Sequence, residues 1–441
     1  MLKDKYKDHF ETLRRVYDQA LNHHDFDKLI VYSGDILLRH QDDLPYPYIT
    51  DIQFKALVPL LNAPGSWIIW RLNEKPILLF LQPDDFWHIV PEIPDSFWTP
   101  FFEIVAIVDG EKAKKYFGDT SRAVFLGETN VMTRDWNLGQ HNPDLFLAEL
   151  NWSRSYKTEY EQACILEANT ISIKGHRAAR DAFFSGASEL EISLAFQSAC
   201  TLPEESLAYP SVVGINEHAA ILHYLGRSAR RPVESHSLLI DAGASFNGYA
   251  ADITRTYARA GGLFADMVIA FDEMQQLLVS EHIVGRRYFD LSLLTLERVA
   301  RLLKDFDLVT LEPASCVETG VVNHFVPHGL GHFLGLQVHD VGSRQADSSG
   351  ALLDIDPKYP KFNMMRTIEP NQVVTVEPGV YFINQLLKPL YEGPYKNAVN
   401  WSAIERLKLF GGMRIEDNVV MHENGPINFT REAFAESQCR Q

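Results

Sequence analysis

Two aspartates in the second half of the chain, Asp241 and Asp252, are of a residue type that binds divalent metal ions. They lie on either side of Asn247-Gly248, a dipeptide that accepts the positive φ angles of a type I′ turn between two β-rich runs. A two-residue turn predicts that Asp241 lies opposite Thr254 and that both aspartates project from one face, roughly 7 to 8 Å apart. Such a carboxylate pair repels itself unless a cation or a shared proton compensates. The pattern equally fits two aspartates that point into water at strand edges.

Three histidines, His328, His332 and His339, occur within the segment PHGLGHFLGLQVHD. Two of them are four residues apart, as in the zinc-binding HExxH helix, but Gly329 and Gly331 disfavour a helix and indicate a loop. Neutral imidazole binds divalent transition metals and exchanges protons near pH 7. One of these histidines could therefore bind a metal while the others contact substrate. A single histidine, however, is more often an ordinary core or surface residue.

Two glutamates, Glu377 and Glu416, each lie in a run rich in β-branched residues, QVVTVEPGVYF and FGGMRIEDNVV. An unpaired carboxylate is costly to bury in such a strand-like segment, so each glutamate needs a cation or a hydrogen-bonding partner. Strand alternation places Arg414 and Glu416 on the same face. A plain ion pair inside a sheet is therefore an alternative to a metal ligand at Glu416.

The bulk composition is typical of a soluble intracellular enzyme. The chain has 441 residues, 46% of them hydrophobic, which suits two or three domains. A net charge of −17 disfavours binding to nucleic acid or anionic membranes. Its four cysteines form no regular framework, as expected in a reducing compartment. The N-terminus lacks an apolar signal core, and no apolar stretch reaches the roughly 18 residues of a membrane span, so we expect a cytoplasmic protein.

The order of predicted elements divides the chain in two. Residues 1–153 combine a helix from Tyr6 to His23 with strands such as KLIVYS and AVFLGE, which predicts a mixed α/β domain. A long helical segment then opens at Thr158, and Ser188 with Glu191 predicts a capping box for the next helix. We therefore expect a second domain over residues 154–441.

These motifs, in the order D, D, HGxGH, VEPG and RIED, resemble the pita-bread metallopeptidases, which include methionine aminopeptidase, aminopeptidase P, prolidase and creatinase. The segments NEHAAILHY, LIDAGASFNGYAADITRTY and PHGLGHFLGLQVHDVG are most similar to the bacterial prolidases and to the related organophosphorus acid anhydrolases. DDLPYPY, QFKA and YKTEYEQAC extend the resemblance to most of the chain. The resemblance implies an α/β (α+β) fold, with a creatinase-like N-terminal domain followed by a pita-bread catalytic domain.

The resemblance further implies two manganese ions per subunit and cleavage of dipeptides that end in proline. Asp252 and Glu416 would bridge the ions, and Glu377 would also carry the proton of the attacking water to the departing proline nitrogen. His328 would stand behind the ligands, and Tyr209 and Val338 would line a small pocket. The implied ligands are Asp241, Asp252, His332, Glu377 and Glu416, the catalytic groups His223, His339, Glu377 and Arg414, and the substrate contacts Tyr209, His328, Val338, Asp43 and Arg366.

One position departs from the family pattern. Prolidases carry an arginine that binds the proline carboxylate, fourteen residues before the glutamate that corresponds to Glu377. This chain has Asn363 at that position, and the nearest arginine is Arg366. An amide cannot supply the charged, bidentate contact of a guanidinium group. Either Arg366 takes over this contact, or dipeptides bind less tightly, or the preferred substrate differs.

The resemblance assigns the first domain to dimerisation, with Asp43 of the DDLPYPY segment binding the free amine of the substrate in the partner's site. A solvent-exposed turn before Pro45 is an equally good interpretation of that segment. The leading hypothesis is therefore a homodimeric prolidase that acts on small dipeptides. The alternatives are a pita-bread hydrolase for other substrates, such as organophosphate triesters or longer Xaa-Pro peptides, and a binding module without catalysis.

Overall fold

A computed structural model describes residues 2–439, apart from the side chains of residues 131, 132, 438 and 439. The chain divides into two compact units. The first comprises residues 1–154, 158–163 and 347–351, and the second comprises residues 155–157, 164–346 and 352–441. Within residues 2–439, no helix has both the length and the hydrophobicity that a membrane span requires.

The first unit is built on one mixed sheet. The helices and strands of residues 2–154 are α1 (Leu2–His23), β1 (Lys28–Tyr32), α2 (Ile52–Leu57), β2 (Trp67–Arg71), β3 (Ile77–Leu81), β4 (Glu103–Ile107), α3 (Lys114–Phe117), β5 (Ala123–Leu126), α4 (Val131–Asp135), β6 (Gln140–His141) and α5 (Asp144–Arg154). The sheet has the order β4-β3-β2-β1-β5-β6, with β2 antiparallel to both of its neighbours. Trp67 stacks on Tyr32 at its core, with the ring centroids 4.1 Å apart. Buried β-branched and aromatic residues thus form the strands predicted for this region.

The second unit holds the motifs singled out above. Its elements are α6 (Glu159–Phe184), α7 (Glu189–Cys200), β7 (Val212–Ile215), β8 (Ser237–Asp241), β9 (Ser245–Phe246), β10 (Tyr249–Ala250), β11 (Thr254–Ala258), α8 (Leu263–Ser280), α9 (Tyr288–Asp305), α10 (Pro313–Glu318), β12 (Val373–Val376), β13 (Gly379–Tyr381), α11 (Asn384–Glu392), α12 (Trp401–Leu407), β14 (Gly412–Arg414), β15 (Asp417–His422), β16 (Gly425–Asn428) and α13 (Phe429–Cys439). The first residues of α6, 159–163, group with the first unit. Ser188 and Glu191 form the predicted capping box of α7.

Four short sheets carry the second unit. They are β11-β8-β7, β10-β9, β12-β15-β16 and β13-β14. A backbone bridge between Thr254 and Glu416 joins the first of these sheets to the segment between β14 and β15. A second bridge, between Phe333 and Val374, attaches the histidine-rich loop to β12. The motifs are thus brought together by backbone pairing rather than by side chains alone.

The hairpin around Asn247-Gly248 has the predicted register. Asp241 pairs with Thr254, and both turn residues have positive φ, 49° for Asn247 and 87° for Gly248. The two strands approach so closely between the aspartates that a Cβ on Gly243 would lie 1.8 Å from the carbonyl oxygen of Ala251. Glycine at position 243 therefore permits the strand contact that sets the two aspartates side by side.

Candidate metal centre

Four carboxylates and one imidazole from five separate places in the second unit meet in one cluster. Asp241 ends β8, Asp252 lies between β10 and β11, and His332 lies in the irregular segment predicted as a loop. Glu377 follows β12, and Glu416 lies between β14 and β15. The potential ligand atoms form three overlapping groups, each within 4.8 Å: Asp241, Asp252 and Glu416; His332, Glu377 and Glu416; and Asp252, His332 and His339.

The His332 ring is oriented by the backbone. Its Nδ1 lies 2.9 Å from the carbonyl oxygen of Phe333 and donates to it, which leaves Nε2 to face the carboxylates. Nε2 lies 3.5 Å from Asp252 Oδ2 and 3.4 Å from Glu377 Oε1. Metal-binding histidines commonly donate their other ring nitrogen to a carbonyl in this way. The orientation of His332 therefore suits a ligand.

The electrostatics of the cluster call for positive charge. Burial raises the pKa of Glu377 to about 7, and burial together with the neighbouring carboxylates raises the pKa of Glu416 well above its ordinary value. Burial also raises the pKa of Asp241. Burial alone would lower the pKa of His332, but Asp252 and Glu377 raise it to about 9. Without metals, the raised pKa values mean that protons reduce the repulsion among these carboxylates. Divalent cations would supply the same positive charge, and this oxygen-rich donor set with one imidazole fits a pair of them.

Arg414 forms its ion pair with Asp241, not with Glu416. One of its terminal nitrogens donates to Asp241 Oδ2 at 2.6 Å, and the other donates to the hydroxyl oxygen of Tyr381 at 2.6 Å. Its Nε donates to Thr254 Oγ1 at 3.1 Å, and the Thr254 hydroxyl donates to Glu416 Oε2 at 2.6 Å. The plain ion pair considered for Arg414 and Glu416 is therefore replaced by a relay through Thr254.

Tyr209 lies directly against two of the carboxylates. Its hydroxyl oxygen is 2.7 Å from Asp241 Oδ1 and 2.6 Å from Asp252 Oδ1, so its single proton is shared between them. Burial and the nearby carboxylates raise the pKa of Tyr209 well above its ordinary value, which keeps the hydroxyl protonated. The resemblance implied a pocket-lining role for Tyr209 and Val338. The sequence carried no signal for the bridging hydrogen bonds.

The remaining histidines surround the cluster at different depths. His328 lies behind it, with Nε2 3.0 Å from the Tyr381 hydroxyl and Nδ1 3.8 Å from Glu377 Oε2, and burial lowers its pKa to about 4. His339 is exposed, and its ring centroid lies 4.2 Å from that of His332. Burial, then the charge of His332, lowers the pKa of His339, and His223 contributes in the same direction. His328 is therefore neutral and supports its neighbours, whereas His339 faces solvent.

Glu189, which no sequence motif singled out, anchors the segment that carries His223. Its buried carboxylate accepts hydrogen bonds from the Tyr224 hydroxyl and the Ser228 amide, both at 2.8 Å. His218 Nδ1 lies 2.7 Å from the same side chain, and the His218 and Tyr224 rings are stacked 4.5 Å apart. Partners on both sides of the exposed His223 are therefore tied to the start of α7.

A second unpredicted anchor fixes the backbone at Glu416. Arg255 donates to the carbonyl oxygen of Glu416 at 2.8 Å and to Asp417 Oδ1 at 2.6 Å. Arg431 donates to the other oxygen of Asp417 at 2.7 Å. Although burial alone would raise it, Arg255 and Arg431 hold the pKa of Asp417 at about 2. Asp417 is therefore ionised at neutral pH, and its two ion pairs hold the backbone next to Glu416 in place.

Arg366 is one of the three explanations considered for the missing carboxylate-binding arginine, and its substrate role stays a prediction. It is only 2% exposed, and its guanidinium donates to the Tyr156 hydroxyl at 2.7 Å and to Glu369 Oε2 at 2.8 Å. Asn363 is exposed. Asp43 lies in the first unit with an exposed side chain, and its substrate role stays a prediction.

Comparison with known proteins places the chain in a family. Residues 4–152 match the family described as Xaa-Pro dipeptidase, N-terminal domain, and residues 163–423 match the one described as metallopeptidase family M24. The chain belongs to metallopeptidase family M24. The expected fold, a mixed N-terminal domain followed by the M24 pita-bread domain, is thereby confirmed.

Relatives of this M24 chain match it over nearly the whole length. An Xaa-Pro dipeptidase of Aeromonas hydrophila subsp. hydrophila is 43% identical over 96% of this chain and 97% of its own, and one of Shewanella woodyi is 40% identical over 98% of both. Among solved structures, zinc-substituted aminopeptidase P of E. coli in complex with product has a TM-score of 0.72 at 19% identity and covers 95% of each chain. At that identity the solved structure establishes a shared fold.

Without metal, the protein is expected to lose stability as the pH rises from about 5 to about 9. The folded-state pKa values of Glu377, about 7, and His332, about 9, lie above their ordinary values. Each raised pKa contributes stability that is complete below the ordinary value and lost as the pH passes the raised one. Urea unfolding of chelated protein at several pH values measures this as a falling midpoint.

The variant His332→Gln tests whether His332 causes the loss of stability at the higher pH values. Its midpoint should fall less than that of the unaltered chain between about pH 6.5 and about pH 9, since glutamine carries no titrating proton there. A midpoint that rises or stays constant over this range in the unaltered, chelated protein would contradict the prediction.

Proposed function

We propose that this protein is a two-metal Xaa-Pro dipeptidase that releases proline from dipeptides. The observation that carries the proposal is the cluster of four carboxylates and one imidazole, in which burial and neighbouring carboxylates raise the pKa of Glu377 and of Glu416. Membership of family M24 supports a metallopeptidase, and the match of residues 4–152 to the N-terminal domain of Xaa-Pro dipeptidases supports the substrate class.

The five residues of the cluster would hold the two metals: Asp241, Asp252, His332, Glu377 and Glu416. Oxygen-rich sites with a single imidazole suit Mn²⁺, and we propose manganese as the cofactor. When bound, such a pair supplies Lewis acidity toward the scissile carbonyl and lowers the pKa of a nearby water. The positive charge of the two metals would also replace the protons that reduce repulsion among the carboxylates when no metal is bound.

The chain itself supplies proton transfer and orientation. Glu377, whose carboxylate lies among the other candidate ligands, is suited to accept the proton of the attacking water and to donate it to the departing proline nitrogen. That nitrogen needs the proton because an amide leaves poorly as an anion. His339 and His223 would donate hydrogen bonds to the substrate carbonyl as negative charge develops on its oxygen. Arg414 opposes the effect of burial on the pKa of Asp241 and holds its carboxylate in place through a 2.6 Å contact.

We propose a cytoplasmic homodimer, in which Asp43 of one subunit binds the substrate amine in the partner's site. Cys164, Cys200 and Cys316 are buried and form no disulfide within the described residues 2–439, which suits a reducing compartment. The first unit exposes large apolar side chains that a second copy could cover: Ile36, Leu37, Leu38, Leu44, Tyr46, Ile49, Phe86, Trp87, Ile89, Val90 and Ile93.

The central test is hydrolysis of Leu-Pro by protein loaded with Mn²⁺, beside Leu-Pro-Gly and an organophosphate triester. We expect cleavage of the dipeptide alone, loss of activity with a chelator, and recovery with Mn²⁺. Glu377→Gln should lower kcat by about 10² or more, since it removes the general base and acid. The exposed Glu423→Gln is the matched control and should leave the rate unchanged. Cleavage of only the triester or the tripeptide by metal-loaded protein would reassign the substrate.

Asn363→Arg is expected to lower KM for Leu-Pro by roughly tenfold or more, because a charged hydrogen bond contributes about 1.5 to 3 kcal/mol. The rate constant kcat should change little, since the proline carboxylate does not take part in bond cleavage. Asn363→Gln keeps the amide and serves as the control. An unchanged KM in the arginine variant would mean that position 363 does not face the substrate carboxylate.

Charged substitutions on the apolar surface of the first unit should disrupt the dimer. Trp87 and Ile89 are 78% and 95% exposed, so their replacement removes no core packing. We expect the double variant Trp87→Ser, Ile89→Asp to have the mass of one chain by light scattering, and the unaltered protein to have the mass of two. Val233→Asp, at a position 96% exposed in the second unit, is the control. A monomeric unaltered protein would refute the dimer.

A further inference from the structure

A second group of metal-binding side chains lies in the first unit, among residues 1–154. His23 Nδ1 lies 2.9 Å and His24 Nε2 lies 3.1 Å from the same oxygen, Oε2 of Glu149. One potential ligand atom from each of the three residues lies within 4.8 Å of the other two. Two imidazoles from adjacent residues thus converge on one carboxylate that lies 126 and 125 positions away from them in sequence.

Two of the three side chains are mostly buried, and the third is open to solvent. The Glu149 side chain is only 10% exposed and the His24 side chain 20%, whereas the His23 side chain is 70% exposed. The His24 ring also packs edge-on against Phe146, with the centroids 5.6 Å apart. Phe146 and Glu149 belong to the same helix, α5. Glu149 and His24 are therefore held in place, and the exposed side of His23 leaves a route by which a cation can enter from solvent.

The backbone around the two histidines favours a cation. His23 is the last residue of α1, and the amide of His24 continues the helical pattern by donating to the carbonyl oxygen of Ala20 at 3.1 Å. The C-terminal end of a helix carries partial negative charge from its aligned peptide dipoles. Glu149 adds a nearby carboxylate. A bound cation would therefore be attracted by the helix end as well as by its ligands.

We propose that His23, His24 and Glu149 form an accessory site for a late first-row divalent cation, of which Zn²⁺ is the probe of choice. Imidazole ligands suit Zn²⁺, Ni²⁺ and Cu²⁺ better than Mn²⁺, whereas a carboxylate-rich cluster such as that in the second unit also suits Mn²⁺. Three protein ligands leave a coordination position for water. The ion would link α1 to α5 and stabilise the first unit.

The ordinary alternative is that the same three groups share protons and bind no metal. The two interpretations differ in what occupies the point between the side chains at neutral pH. A metal displaces protons from imidazole nitrogens, so its binding releases protons and strengthens as the pH rises. Metal content and metal-dependent stability therefore separate the two.

The experiment measures zinc content in the full chain with the second unit kept saturated with Mn²⁺. Protein is dialysed against micromolar Zn²⁺ with excess Mn²⁺, and zinc per chain is determined by mass spectrometry of the metals. The double variant His23→Gln, His24→Gln should contain one zinc fewer per chain than the unaltered protein, with kcat/KM for Leu-Pro unchanged. Zinc that enters the carboxylate-rich cluster is common to all variants and cancels in the difference.

Two further variants guard against misfolding and nonspecific binding. His23→Gln alone removes one ligand at an exposed position and should lower zinc affinity without disturbing the fold. His88→Gln alters an exposed imidazole that lies 2.5 Å from Asp85, its one carboxylate partner among the described side chains, and should leave the zinc content unchanged.

Thermal unfolding gives an independent measurement. Zn²⁺ should raise the Tm of the unaltered protein, since an ion that binds only the folded state stabilises it. The Tm increase should disappear in the double variant and persist in His88→Gln. Equal zinc content and equal Tm shifts in the unaltered protein and the double variant would overturn the proposal and leave a proton-sharing cluster.

Discussion

Negative charge held out of water is the constraint on which the second unit depends. Asp241, Asp252, Glu377 and Glu416 are brought so close together that burial and mutual repulsion raise the pKa of three of them. Compensation comes from Arg414 and from the hydroxyl groups and imidazoles that reach the carboxylates. Burying several carboxylates together costs folding free energy and is typical of functional sites. Binding of divalent cations is the function that this donor set fits.

Holding those carboxylates against repulsion requires anchors outside the cluster. The bridge between Thr254 and Glu416 joins the β11-β8-β7 sheet to the segment between β14 and β15, and Arg255 with Arg431 forms ion pairs with the neighbouring Asp417. The bridge and the Arg255–Asp417 pair each join residues 162 positions apart in sequence. The geometry of the cluster therefore depends on the whole second unit, as expected where ligand positions need support from residues behind them.

The two units differ in the metal chemistry that their side chains suit. The cluster in the second unit offers four carboxylates and one imidazole, whereas the group at His23, His24 and Glu149 offers two imidazoles and one carboxylate. Hard oxygen ligands suit manganese, and nitrogen ligands suit zinc and its neighbours. The two sites thus differ in ligand type, although a late transition metal can compete with manganese at the carboxylate-rich cluster.

The sequence by itself determined the family, the hairpin register at Asp241 and Thr254, and the loop character of the His332 segment, because turn chemistry and glycine positions act over a few residues. The resemblance of its motifs also named the residues that converge in the cluster. Only the tertiary structure decided that Arg414 pairs with Asp241, that Tyr209 spans two carboxylates, and that Glu189 anchors the His223 segment. These contacts join residues about 30 to 170 positions apart, and local sequence preferences carry no information about which distant partners meet.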